Sequence, residues 1–217
     1  MRSIWGMLAL LFVCNSFAKD CVYQKGEERW EIKTSLPNNE GPAQDVDLAS
    51  LIALGNPNLQ GKTHAFETKR WADPVVAKRG NKQVTLHEGD LVTVTGYLYR
   101  ARCKSDGDIH LEIGSGSTRQ SSCLIVESPD PSQIKASGER EQVTKTRAAL
   151  VTFGPSIYAS NPKVKPQPIT VTGQLFLDAP HYRQNDPSGG RGTKRTKGGS
   201  CATNLWELHA TTVISKP

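Results

Sequence analysis

Five segments between residues 83 and 215 have the residue pattern of β-strands, and they constrain the fold more than any other feature of this chain. Alternation of apolar and polar residues puts one side of a strand in a core and leaves the other side polar. In the first segment, for example, Val92, Val94, Gly96 and Leu98 share one face. The chain is therefore predicted to be mainly β. The segments are, in order, QVTLHEGDLVTVTGYLYRARCK, DIHLEIG, CLIVESP, PITVTGQLFLDAPHY and LWELHATTVIS.

One helix-prone segment, SQIKASGEREQVTKTRAALVTFG, interrupts the strands between the third and the fourth. Three strands, a helix and two strands is the element order of the OB-fold, a five-stranded Greek-key barrel. Gly96 and Gly173 lie inside strands, where glycine marks a bulge or a sharp bend, and barrel strands need such bends to turn corners. We therefore expect an OB-fold-like barrel over residues 81–217, with a β-sandwich as the structural alternative.

Residues 19–80 are predicted to form an N-terminal extension that packs on the barrel, because they hold too few apolar residues for a separate domain. RWEIKTS has strand character, and DVDLASLIALG predicts a short helix that Asp45 or Asp47 can cap. Residues 60–80 are basic and are expected to be irregular.

The first 18 residues have the features of a cleavable signal peptide. Arg2 provides the positive end, residues 4–13 are apolar, and small residues at Ser16 and Ala18 predict cleavage before Lys19. An uncleaved anchor is the alternative, although the apolar run is short for a membrane span. No other stretch is apolar enough to cross a membrane, so the mature protein is expected to be secreted or periplasmic.

Cleavage leaves four cysteines, and in an oxidising compartment four cysteines predict two disulfides with three possible pairings. Cys103 and Cys123 flank DIHLEIG, so a Cys103–Cys123 bond with a Cys21–Cys201 bond is the favoured pairing. A cysteine metal site is disfavoured because the chain has no CxxC pair.

The strings DGDIHLEI, CLIVE, VTGQLFLDAPH and LWELHATTVI occur in this order and resemble a set of uncharacterised bacterial secreted proteins with an OB-like core. The resemblance covers roughly residues 70–215. It implies the barrel and export from the cell, and it implies no particular activity.

Three of the five histidines closely follow an acidic residue, in the pairs Asp108 with His110, Asp178 with His181, and Glu207 with His209. Because the apolar faces would fill the barrel, these polar side chains are expected to point outward or towards a rim. Imidazole beside carboxylate can hold zinc or another divalent cation, with His110, His181 and His209 as candidate ligands.

The same pairs suit general acid–base catalysis, because a carboxylate orients a histidine and raises its basicity. A metal-dependent hydrolase or nuclease would use Asp108, His110, His181, Glu207 and His209 as its catalytic residues. The alternative is structural, since acid–histidine pairs on exposed strand positions add to sheet pairing, and no HExxH motif is present.

A glycine-rich basic segment, residues 183–199, separates the fourth and fifth strands. Its five basic residues and one acid, Asp186, give a net charge of +4, against +6 for the whole chain. In an OB-fold this connection is one of the two loops that bind oligonucleotides or oligosaccharides. The basic side chains would contact phosphates, and Tyr182, Tyr97 and Tyr99 would offer stacking surfaces. The basic residues are Arg183, Arg191, Lys194, Arg195 and Lys197.

These observations favour a secreted or periplasmic binding module for an anionic polymer, either nucleic acid or an envelope glycan. The metal-dependent hydrolase is the second hypothesis. A structural envelope protein that docks a partner along an edge strand is the third, and it predicts a contiguous exposed apolar patch. An alternative to polymer binding for the basic segment is that it forms a solvated loop, which protects a sheet edge from aggregation.

Overall fold

The structure is a computed structural model, and it describes residues 21, 29–35, 42–61, 66, 68–120, 122–158, 165–182 and 201–217. The signal peptide predicted at residues 1–18 and the basic segment at residues 183–199 lie outside these ranges.

The described residues form a mainly β molecule, as predicted. The strands are β1 (Gln44–Asp45), β2 (Val75–Arg79), β3 (Lys82–Leu86), β4 (Leu91–Cys103), β5 (Ile109–Gly114), β6 (Cys123–Ser128), β7 (Gln167–Leu177) and β8 (Ala202–Ser215). The α-helices are α1 (Trp30–Thr34), α2 (Leu48–Ile52) and α3 (Ser137–Ala149).

The main sheet has six strands in the order β1-β4-β5-β6-β8-β7, and β4 also pairs with β7. The pairings β4–β5, β5–β6, β4–β7 and β7–β8 are antiparallel, whereas β6–β8 and β1–β4 are parallel. The first predicted segment forms β3 and β4, of which β3 belongs to a separate two-stranded sheet with β2. The other four segments correspond to β5–β8, and α3 lies between β6 and β7 in the chain. The predicted order of elements is therefore confirmed.

The prediction that a glycine inside a strand marks an irregularity is confirmed at Gly173 but not at Gly96. The β7–β8 register shifts between Thr172 and Gln174, so Gly173 lies at an irregularity of the ladder. Gly96 pairs in regular register with Ile169, and its lack of a side chain serves close packing, because an added Cβ would overlap Leu48 of α2 and the carbonyl oxygen of Gly114.

The N-terminal extension differs from its prediction in two places. RWEIKTS forms the short helix α1 instead of a strand, with Arg29 in the left-handed region just before it. The amide of Gln174 donates to the carbonyls of Ile32 and Ser35, so a side chain rather than a neighbouring strand satisfies the helix end. Residues 75–79, expected to be irregular, form β2, which pairs with β3 through a turn at Gly80.

The helix predicted in DVDLASLIALG is confirmed as α2, which begins after Asp47. The Asp47 carboxylate accepts a hydrogen bond from the Gly80 amide at 2.8 Å and so ties α2 to the β2–β3 turn. The proposed division into an extension up to residue 80 and a barrel domain from 81 stays a prediction.

The core is built by the apolar faces of the strands, as the alternation predicts. Leu111, Val126, Leu175 and Leu208 are fully buried, and Leu51 of α2 packs into the same core. Burial of such side chains is the main favourable contribution to folding.

The disulfides are Cys21–Cys103 and Cys123–Cys201, so the favoured pairing was wrong. Cys103 pairs with Ile109 in the β4–β5 ladder, whereas Leu124, next to Cys123, pairs with Ile113. The two cysteines therefore lie at opposite ends of β5, about 17 Å apart at ~3.4 Å per residue. A disulfide requires Cα atoms about 4.4–6.8 Å apart.

None of the helices formed by the described residues is long and apolar enough to cross a bilayer.

Candidate functional site

The polar face of β5 is buried, which overturns the expectation that it points outward. Asp108 and Glu112 are 0% exposed and His110 is 4% exposed. Residues of the N-terminal extension lie against this side of the sheet, because His209 contacts the carbonyl of Lys33 and Gln174 contacts that of Ile32. The polar side chains that alternate with the core therefore face a second layer of protein rather than solvent.

A cluster of five buried residues, here called the acid–histidine cluster, lies between these two layers. Glu127 is at its centre, with Oε1 2.8 Å from His110 Nδ1 and Oε2 2.9 Å from His209 Nε2. His110 and Glu127 are direct partners in the β5–β6 ladder, and His209 comes from β8. The Nε2 atom of His209 also lies 3.3 Å from Asp108 Oδ2. The fifth member is Lys33, whose Nζ lies 3.7 Å from Glu127 Oε2.

His209 is held in its protonated form by contacts on both ring nitrogens. Its Nδ1 lies 3.2 Å from the carbonyl oxygen of Lys33, and a carbonyl only accepts, so Nδ1 carries a proton. Burial lowers the pKa of His209, but contacts with the carboxylates of Asp108 and Glu127 outweigh it and raise that pKa to about 9. The imidazolium therefore donates from Nε2 to Glu127 at neutral pH, and it carries its positive charge beside Asp108.

The other charges of the cluster are set by the same competition between burial and neighbours. Burial opposes the charged form of Lys33, but Glu127, Asp108 and further acids raise its pKa above the ordinary value. Burial opposes ionisation of Glu127, yet Lys33 and the two histidines hold its pKa well below the ordinary value. Asp108 differs, because burial dominates and raises its pKa although His209 acts in the opposite direction.

Of the predicted catalytic residues, Asp108, His110 and His209 are thus brought together, and Glu207 is buried close enough for its charge to act on Lys33. His181 is not part of this group. It pairs with Asp178 at 2.7 Å, and its side chain is 56% exposed. Asp178 lies four residues beyond Gln174, the ladder partner of His209, which is about 13 Å along an extended strand. The three acid–histidine pairs therefore do not all converge.

Glu127 and Lys33 were not among the residues predicted from the sequence. A signal for Glu127 exists, since it is the single charged residue in the apolar segment CLIVESP. A charge in a strand buried on both faces has to find a partner. Lys33 has no such signal, because its role depends on how α1 packs across the sheet.

A second charged group, here called the arginine trio, surrounds Glu112. Arg100, Arg102 and Arg119 each place an Nη2 atom on its carboxylate, at 2.5, 2.9 and 2.8 Å. The side chains of Arg102 and Arg119 are 30% and 26% exposed, so both reach solvent.

The Cys123–Cys201 disulfide lies beside Glu112, the carboxylate at the centre of the arginine trio. One Glu112 oxygen and both sulfur atoms lie within 4.8 Å of one another. Cys201 follows the basic segment, residues 183–199, after Ser200 alone. The chain is therefore fixed beside Glu112 two residues after that segment.

The candidate stacking residues have different environments. Tyr99 is 5% exposed and its hydroxyl donates to the carbonyls of Gly116 and Thr118, so its ring is not available to a ligand. Tyr97 is partly buried against Cys123 and its neighbours. Tyr182 is partly buried and donates to Asn58 Oδ1 at 3.2 Å.

Comparisons of the chain with family models, curated proteins and solved structures found no match. The resemblance to uncharacterised bacterial secreted proteins stays a prediction.

Proposed function

We propose that this chain is a secreted or periplasmic binding domain for an anionic polymer, with the arginine trio and residues 183–199 as its binding surface. The observation that carries the proposal is the Cys123–Cys201 disulfide, which joins Cys201, two residues after the basic segment, to β6 next to Glu112.

The charge of this region supports the proposal. The basic segment contributes a net charge of +4, and the arginine trio places three further guanidinium groups around Glu112. Guanidinium groups bind phosphate and similar oxyanions through paired N–H donors, so Arg102 and Arg119 are suited to this ligand class. Contacts of this kind release counterions and give salt-sensitive binding with little sequence preference.

The sheet topology supports an OB-fold barrel for β4–β8. Its support is the strand order β4-β5-β6-β8-β7, the additional β4–β7 pairing, the parallel β6–β8 pair and the position of α3. In that fold the basic segment is the connection between the fourth and fifth strands, which commonly contacts oligonucleotides and oligosaccharides.

The compartment is supported by two features. The two disulfides are compatible with an oxidising environment, and residues 1–18 have the pattern of a signal peptide.

The other two hypotheses have weaker support. A hydrolase needs a site that its substrate can reach, yet His209 is 0% and Glu127 is 5% exposed. A docking protein needs a contiguous apolar patch, and the exposed large apolar side chains among the described residues are three valines, Val76, Val151 and Val213.

The test is fluorescence anisotropy with a single-stranded oligonucleotide, an acidic polysaccharide and a neutral polysaccharide, at about 50 and about 200 mM salt. We expect binding to at least one anionic probe, weakening with salt, and no binding to the neutral probe. Removing four charges of the basic segment should weaken binding at least about tenfold. The variant combines Arg191→Ala, Lys194→Ala, Arg195→Ala and Lys197→Ala.

A matched control removes four exposed lysines from other parts of the surface and keeps the same net charge as the test variant. It combines Lys78→Ala, Lys82→Ala, Lys135→Ala and Lys145→Ala. Equal losses in the two variants would show a non-specific effect of net charge, and no binding at the lower salt concentration would overturn the proposal.

A further inference from the structure

The Asp108 carboxylate is buried without the hydrogen bonds that such a group needs. Its side chain is 0% exposed, and neither oxygen makes a hydrogen bond of good geometry to the residues that the structure describes. Its nearest charged neighbour is His209, whose Nε2 lies 3.3 Å from Oδ2. Burying an ionised carboxylate without partners costs free energy, so a bound cation or a hydrogen-bond donor would stabilise Asp108 here.

The neighbouring atoms have the spacing of metal ligands. One oxygen of Asp108, one oxygen of Glu127 and a ring nitrogen of His209 lie within 4.8 Å of one another. The Nε2 atom of His209 is 2.9 Å from Glu127 Oε2 and 3.3 Å from Asp108 Oδ2. Ligands that bind zinc tetrahedrally at about 2.0–2.1 Å are about 3.3 Å apart. The two measured distances are close to this value.

The surroundings also orient these ligands. His209 donates from Nδ1 to the carbonyl of Lys33, which directs Nε2 towards the two carboxylates. A backbone carbonyl commonly holds the second nitrogen of a zinc-bound histidine in this manner. Since Glu127 Oε1 accepts from His110 Nδ1 at 2.8 Å, the other oxygen, Oε2, faces His209.

We propose that Asp108, Glu127 and His209 bind one divalent transition-metal ion, for which zinc is the best chemical match. Binding removes the Nε2 proton of His209, which passes to solvent, and three metal–ligand bonds form. The ion would join β6, β8 and the residue before β5, and through the Lys33 carbonyl it would stabilise α1 against the sheet. This inference is independent of anionic-polymer binding, since it uses different residues.

The experiment is a titration of chelator-treated full-length protein with Co²⁺, followed by visible absorption, and then by displacement with Zn²⁺. We expect a tetrahedral Co²⁺ spectrum that saturates at one equivalent and disappears when Zn²⁺ is added. Zn²⁺ should also raise the Tm by about 5 °C at a concentration far above its Kd.

Variants separate this site from surface binding. Asp108→Asn and His209→Gln should each weaken Co²⁺ binding at least about tenfold. Two matched controls should retain it within about twofold: Asp106→Asn, which removes an acid that contacts Lys33, and His181→Gln, which removes the exposed histidine paired with Asp178.

The proposal is overturned if the wild-type protein takes up no Co²⁺ and shows no change in Tm with Zn²⁺. It is also overturned if His181→Gln abolishes the spectrum, because the metal then binds at the surface pair. Should Asp108→Asn fail to fold, the wild-type stoichiometry and the His181→Gln spectrum still decide between these outcomes.

Discussion

Glu127 on β6 and His209 on β8 are 82 residues apart in the chain, yet the buried atoms Glu127 Oε2 and His209 Nε2 lie 2.9 Å apart. Glu127 also contacts His110 and Lys33, so one carboxylate joins two strands of the sheet to the N-terminal extension. The stability of the molecule should therefore depend strongly on this side chain.

Glu127→Gln is expected to lower the free energy of unfolding by about 3 kcal/mol, because it leaves His209 and Lys33 buried without their central counter-charge. Urea denaturation followed by tryptophan fluorescence measures the change. The matched control is Glu141→Gln, which removes an exposed glutamate paired with Lys145 on α3 and should leave the midpoint almost unchanged. Equal midpoints for the two variants would contradict the central role of Glu127.

Stability is expected to fall as the pH rises from about 6.5 to about 9 in protein kept free of metal by a chelator. His209 has its pKa raised from 6.5 to about 9 on folding, so its contribution is complete below the lower value and is lost above the higher one. The loss should be about 3 kcal/mol. Urea midpoints across this pH range should fall in the wild type and stay nearly flat in His209→Gln; a parallel fall in both proteins would assign the effect to other groups.

The basic segment should lose affinity for its anionic polymer when its anchor is removed. The variant that combines Cys123→Ser with Cys201→Ser opens a 78-residue separation, which costs up to about 4.5 kcal/mol of stability in the chain-entropy model. Measured below its Tm, this variant should bind the anionic probe more weakly than the wild type.

Peptide mapping of unreduced protein should recover Cys21 linked to Cys103 and Cys123 linked to Cys201, and a Cys103–Cys123 peptide would contradict the structure.

The exposed members of the arginine trio should contribute directly to polymer binding. Combining Arg102→Ala with Arg119→Ala is expected to weaken binding to the oligonucleotide and to reduce the slope of log Kd against log salt by about 1.4, at ~0.7 per phosphate contact. A matched control combines Arg79→Ala with Lys82→Ala in the exposed β2–β3 hairpin. An unchanged slope in the trio variant would remove these arginines from the binding surface.

Gly96→Ala is expected to destabilise the protein by about 1–3 kcal/mol, because the added methyl group overlaps Leu48 and the Gly114 carbonyl oxygen. Gly138→Ala is a matched control in the first turn of α3, where nothing lies within 4 Å of the added atom. Thermal unfolding should separate the two variants, and similar Tm values would show that α2 and β5 can move away from β4 without cost.

Much of the fold could be predicted because its signals are local. The alternation in β4 and β5, and the helical spacing in α3, involve residues within a few positions of each other. The strand prediction for RWEIKTS was wrong because its strand propensity is weak, and tertiary contacts such as those of Gln174 with the carbonyls of Ile32 and Ser35 favour a helix there. The candidate site was predicted in part, since strand alternation identified Asp108, His110 and His209 but not the residues that join them.

The sequence by itself determined the strand and helix segments, their order and the concentration of positive charge between the last two strands. Only the tertiary structure decided which cysteines pair, which acid lies between the histidines, and that this polar face is buried. The contact between His209 and the Lys33 carbonyl spans 176 residues. No local pattern records such a contact, because it depends on strand register and on the packing of α1 across the completed sheet.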